Sequence, residues 1–133
     1  MAIAVRGLCP LLQVFDMPTS IHFYRDVLGF SVVRTSGVGD NAGWTWLRHG
    51  DAELMLNTAF EDDQRPAAAD PARVAAHADT IIYLGCADLD DAYSYLLSQG
   101  VEAEPPAVRP YGMKQLHLTD PDGYGLCCQR PAA

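Results

Sequence analysis

Residues 12–30 read LQVFDMPTSIHFYRDVLGF, and three signals follow one another inside that stretch. An apolar run ends at Phe15, an aspartate and a proline open a helix, and a glycine closes it. The Asp16 carboxylate can accept the free amides of a first helical turn, and Pro18 fits within that turn. Met17, Ile21, Tyr24, Val27 and Leu28 then recur at helical spacing. Gly29 stands where a helix terminator is needed, and Phe30 to Thr35 resumes with the β-branched character of a strand. With Leu8 to Phe15 as a first strand, the order is strand, helix, strand.

Working outward, Trp44 to His49 and Ala52 to Ala59 flank Gly50-Asp51, a two-residue hairpin turn that closes a first βαβββ module. The second half repeats the order. Thr80 to Ala87 is a strand, Asp88 a cap, Leu89, Ala92, Tyr93 and Leu96 a helical stripe, and Gly100 a terminator. Val101 to Val108 reads as an edge strand broken by Pro105-Pro106. Met113 to Thr119 and Tyr124 to Arg130 flank the tight turn Asp120-Pro121-Asp122-Gly123. Superposing Asp16 on Asp88 pairs Phe23 with Tyr95. The expected fold is α+β: two βαβββ modules forming curved mixed sheets around a concave ligand cavity, with the helices on the other side. Module one covers about residues 6–60, a linker about 61–79 and module two about 80–131, all in one domain spanning 1–133. Within the linker, Asp70-Pro71 can open one short helix.

Composition narrows the function. With 133 residues, 49% of them apolar, the chain can build one ordinary core. It has no apolar stretch of membrane-spanning length, and Met1 to Gly7 lacks the pattern of a secretory signal, so a cytoplasmic protein with no membrane partner is expected. Cys9, Cys86, Cys127 and Cys128 form no CxxC pair and read as reduced, small buried hydrophobes. Nine basic residues against seventeen acidic ones give a net charge of −8, and the basic residues are scattered, which argues against nucleic acid as a partner. An acidic surface attracts cationic ligands at long range.

The run Leu12 to Phe30, ADLDDAYSYLLSQGV at Ala87 to Val101, and DPDGYGLCCQ at Asp120 to Gln129 together resemble the vicinal-oxygen-chelate superfamily. That superfamily groups glyoxalase I, extradiol dioxygenases, fosfomycin-resistance enzymes and bleomycin-resistance proteins. The resemblance implies a homodimer, and in metal-dependent members an ion held by histidine or carboxylate side chains from four strands. The matching positions here are Cys9, Met55, Ile81 and Cys127. Hard divalent ions want oxygen ligands, and catalytic Zn²⁺, Ni²⁺ or Fe²⁺ sites want imidazole and carboxylate. Two thiols and a thioether suit only a soft ion, and apolar filling explains all four residues. No metal and no cofactor are therefore expected, and the resemblance is to the metal-free bleomycin-resistance branch.

Strand parity nominates a ligand surface. A turn at Gly50-Asp51 puts Trp46 opposite Met55 and Trp44 opposite Asn57, on one face. Gln13, Tyr83 and Gln129 share parity with Cys9, Ile81 and Cys127. Either His117 or Leu116 joins them, depending on turn register, and Tyr111 beside Gly112 can cover a ligand. Arg48 and Glu53 read as a cross-strand ion pair, and His22, His49 and His77 as exposed. These residues predict a protein that binds a small planar or cationic organic molecule, with antibiotic resistance as the associated role. The alternative is a glyoxalase-like lyase or isomerase, either with Glu53 or His117 as an unexpected metal ligand, or metal-free and using Tyr83 or a cysteine.

Overall fold

The computed structural model describes residues 2–60 and 64–133, so Glu61 to Asp63, at the start of the expected linker, lie outside the described residues. The chain divides into two units at Arg65/Pro66.

In the first unit, β1 (Leu11–Gln13), α1 (Met17–Ile21), β2 (Ser31–Thr35), β3 (Trp44–His49) and β4 (Ala52–Asn57) form one βαβββ module. The sheet order is β1-β4-β3-β2, with β1 parallel to β4 and the other pairs antiparallel. Asp16 caps α1 by accepting the Thr19 amide. The core side of the sheet carries Leu12, Val14, Leu47, Leu54 and Leu56, all buried.

Two expectations need correction here. The first strand begins at Leu11 rather than Leu8. The Pro10 carbonyl still accepts the Met55 amide at 2.8 Å, but proline has no N–H with which to extend the ladder toward Cys9. The helix also does not run regularly to Leu28. After Ile21 it widens into a π-helical stretch, His22–Val27, in which the Leu28 amide reaches back five residues to the Phe23 carbonyl at 3.0 Å. The wider turn lets two consecutive aromatics enter the core: Phe23 and Tyr24 are both buried and meet edge to face at 5.0 Å.

In the second unit, α2 (Pro71–Ala76) precedes β5 (Ile81–Gly85), α3 (Leu89–Ser98), β6 (Ala107–Val108), β7 (Met113–Thr119) and β8 (Gly125–Pro131). The order β5-β8-β7-β6, with β5 parallel to β8, repeats the topology of the first sheet. Asp88 caps α3 by accepting the Asp91 amide at 3.0 Å. Leu89, Leu96, Leu116, Leu118 and Leu126 are buried. Tyr95, paired with Phe23 by position, is 44% exposed, so the two positions differ in environment. The prolines reduce the expected edge strand Val101 to Val108 to β6 and a single bridge from Ala103 to Leu118. The expected β2, β4, β5 and β8 also differ from the observed strands by one or two residues at their ends.

The later part of the linker belongs to the second unit and is anchored there. Asp70 caps α2, and His77 stacks on Tyr124 with centroids 4.0 Å apart and rings 9° from parallel. The Asp122 carbonyl can only accept, so His77 Nδ1 donates to it at 2.7 Å and Nε2 accepts from the Tyr124 hydroxyl at 3.2 Å. His77 is thus half-buried structural packing rather than an exposed histidine.

Candidate functional site

Alternation decides what each sheet leaves open. In the first unit Thr45, Leu47, Leu54 and Leu56 point into the core, so Trp44, Trp46, Glu53, Met55 and Asn57 share the opposite, half-buried face. The hairpin register is the expected one: Trp44 opposite Asn57, Trp46 opposite Met55, and Arg48 opposite Glu53. Gln13 lies beside Asn57 on β1, and the Asn57 amide donates to Gln13 Oε1 at 3.2 Å. Arg48 donates to Glu53 Oε1 from Nη2 at 2.9 Å and from Nε at 3.2 Å, and its guanidinium lies 5.5 Å from the Trp46 ring centroid. The indole nitrogen of Trp46 is buried without a hydrogen-bond partner. Cys9 falls outside β1, and the residue opposite Met55 is Leu11.

In the second unit the register resolves the open alternative. His117 is half-buried and pairs with Cys127 on the face opposite the core residue Leu116, and on that face Cys127 and Gln115 are themselves buried. Tyr83 flanks Cys127 from β5, and Gln115 pairs with Gln129. A chain of amides runs across the strands: Tyr111 donates to Gln115 Oε1 at 2.8 Å, and Gln115 Nε2 donates to Gln129 Oε1 at 3.0 Å. His117 Nε2 sits 3.8 Å from the Cys127 sulfur. At the β7 edge an open cavity of about 410 Å³ is lined by Glu102, Glu104, His117 and Thr119 among others.

Of the nominated residues, the first unit therefore groups Gln13, Trp44, Trp46, Met55 and Asn57, and the second groups Tyr83, Tyr111, His117, Cys127 and Gln129. Cys9 lies just before β1, half-buried and within reach of the Glu53 and Arg48 charges. Gln115 was missed, although its parity with His117 and the DPDG turn were readable. Arg34, which the register sets beside Trp46, was missed for a reason strict alternation could not supply.

The donor chemistry tests whether a metal fits. Among the described residues no group of three or more histidine, cysteine, aspartate or glutamate side chains is placed to hold an ion. Burial pushes the Cys9 thiol above its ordinary range, reinforced by Glu53, and burial does the same to Cys127, so both favour the protonated form that ligates poorly. Ile81 offers no donor, and Glu53 is engaged by Arg48. These residues do not fit a catalytic metal centre.

A family model for the Glyoxalase/Bleomycin resistance protein/Dioxygenase superfamily matches residues 8–128. The chain belongs to that superfamily. No curated protein sequence matches it. Among solved structures, a bleomycin resistance determinant encoded on the transposon Tn5 is 23% identical with a TM-score of 0.72, covering 97% of this chain and 100% of its own. A bleomycin-binding protein complexed with bleomycin is 22% identical with a TM-score of 0.71, covering 95% and 98%. TnmS3, an antibiotic binding protein from Streptomyces sp. CB03234, is 22% identical with a TM-score of 0.69, covering 98% of each chain. At these identities the superfamily's fold is what is shared. Residues at the open faces have to be judged on their own chemistry.

Proposed function

We propose that this superfamily member is a cytoplasmic binding protein, one that sequesters a planar, drug-like organic molecule against Trp44 and Trp46 without a catalytic metal, and that it works as a homodimer. The observation that carries this reading is the open face of the first unit. Two tryptophans and a hydrogen-bonded amide pair share it, and at its centre stands Met55, the position to which the family resemblance assigns a ligand in metal-dependent members. Flat aromatic surfaces with few polar groups suit a planar ring system, each desolvated contact contributing on the order of 1 kcal/mol. Bleomycin and antibiotic binding by structural neighbours is consistent with such a role. A second copy is supported by large apolar side chains left exposed on the open faces, Leu11 at 44% and Tyr83 at 51%.

The test combines elemental analysis, size-exclusion chromatography and thermal-shift screening of aromatic compounds on the purified protein. The expected outcome is no stoichiometric metal, a dimer, and ring compounds whose stabilisation falls when Trp46→Ala weakens binding about fivefold or more. A tightly held equivalent of Ni, Zn, Mn or Fe would refute the reading.

A further inference from the structure

We infer that the open face of the first unit selects a planar aromatic anion, an aromatic carboxylate or sulfonate held by Arg34 and Arg48 with its ring on the tryptophans; this rests on the binding function proposed above. The decisive feature is an irregularity in β2. Val32 pairs with Leu47 and Arg34 with Trp46, so β2 advances two residues while β3 advances one, and Val33 is left over as a bulge. Ser31 lies opposite Arg48 on the open face. Strict alternation from Ser31 would place Val33 on that face and turn Arg34 toward the core. The bulge reverses the parity and sets Arg34 opposite Trp46 on the open face.

Arg34 is exposed and, among the described residues, has no hydrogen-bond or ion-pair partner. Arg48 directs both of its bonds to one oxygen of Glu53, from Nε and Nη2, which leaves Nη1 for a ligand. The Trp46 indole N–H also lacks an acceptor, but it is buried and is not presented to a ligand. By contrast, the Asn57 amide already donates to Gln13, and the Glu53 carboxylate already neutralises Arg48. What this face offers a newcomer is donors and one uncompensated positive charge, arranged around two aromatic rings. A cation would meet Arg34 unopposed and find the Trp46 ring already attended by Arg48. The local sign is thus opposite to that of the whole chain, whose net charge is −8. This revises the expectation of a cationic ligand drawn from composition.

Three probes with one ring system test the assignment on the full-length protein: 2-naphthoate, the neutral 2-naphthamide and 2-naphthylmethylammonium. Affinities come from tryptophan fluorescence and calorimetry at low and high salt. Naphthoate is expected to bind about tenfold tighter than naphthamide, as charge-assisted hydrogen bonds allow, with the ammonium weakest and the advantage shrinking in salt. Arg34→Gln should cut naphthoate affinity about fivefold and naphthamide affinity by less than about twofold, because the neutral amide loses a hydrogen bond but no charge pairing. If naphthoate has no advantage, or Arg34→Gln affects both probes alike, while Trp46→Ala still weakens binding, the anion selection is overturned and the binding function stands. If no probe binds, or Trp46→Ala changes nothing, the binding function falls and the inference falls with it.

Discussion

Replacing Gly123 by alanine should destabilise the protein far more than the same change at Gly112, because only Gly123 has α2 against it. Gly123 sits at φ +90° in the turn before β8, and an added Cβ would lie 2.5 Å from the Val74 carbonyl oxygen and 3.0 Å from Val74 Cγ1. Gly112 sits at a similar φ, +84°, with nothing within 4 Å of its Cβ position. The left-handed backbone conformation costs a non-glycine residue about 1–2 kcal/mol at either site. At Gly123 the contact is with backbone, so relief requires α2 to move off the turn. That movement would strain the His77 to Asp122 hydrogen bond, worth about 1 kcal/mol, and the stacking of His77 on Tyr124, worth about another 1 kcal/mol. The expected losses are about 3–4 kcal/mol for Gly123→Ala and about 1–2 kcal/mol for Gly112→Ala. At about 2.1 cal/mol/K of unfolding entropy per residue, a chain of 133 residues loses roughly 3.5 °C of Tm per kcal/mol. Thermal unfolding followed by circular dichroism should therefore show drops of about 10–14 °C and about 4–7 °C respectively, and urea unfolding the corresponding free-energy losses. Equal drops would refute the docking of α2 on this turn.

Asp120 is buried and its Oδ1 accepts the Asp122 and Tyr124 amides, each at 2.9 Å. Asp120→Ala should strip both acceptors and cost about 2–4 kcal/mol in urea unfolding, whereas a loss under 1 kcal/mol would show the turn holds without it. The Cys86 thiol is lowered to about 7 by a hydrogen bond from the Cys128 thiol, whose own value is raised by the same contact and by burial. Iodoacetamide labelling of Cys86, read by peptide mass spectrometry, should therefore rise as pH passes through about 7, where its thiolate forms, and Cys128→Ala should shift that rise toward the ordinary thiol range. An unshifted profile would contradict the pairing. For the half-exposed Arg48 and Glu53 pair, a double-mutant cycle should return under about 1 kcal/mol of coupling, and a larger value would show the face is more desolvated than the geometry indicates.

The parts of the site that were legible in the sequence are those governed by close neighbours along the chain. A two-residue turn at Gly50-Asp51 forces Trp44, Trp46, Met55 and Asn57 into one register, and the structure has that register. Asp16, Asp70 and Asp88 cap helices because a carboxylate two or three residues before a free amide needs no tertiary help. His117 was ambiguous because a four-residue turn admits more than one register, and packing of Leu116 and Leu118 in the core selects among them. Cys9 precedes β1, because Pro10 has no N–H to continue the ladder, yet it lies near enough to Glu53 and Arg48 to feel both charges.

By itself, then, the sequence determined the doubled βαβββ module, its caps and hairpin pairings, and the lack of oxygen or nitrogen ligands at Met55 and Ile81. These depend on residue identity and short-range spacing. Only the tertiary structure decided that the first helix widens to bury Phe23 beside Tyr24, that α2 and His77 dock on the Asp120 to Gly123 turn, and that a bulge at Val33 carries Arg34 to the tryptophan face. Each of these trades regular backbone hydrogen bonding against contacts between residues distant in the chain, and no local pattern records the outcome of that trade.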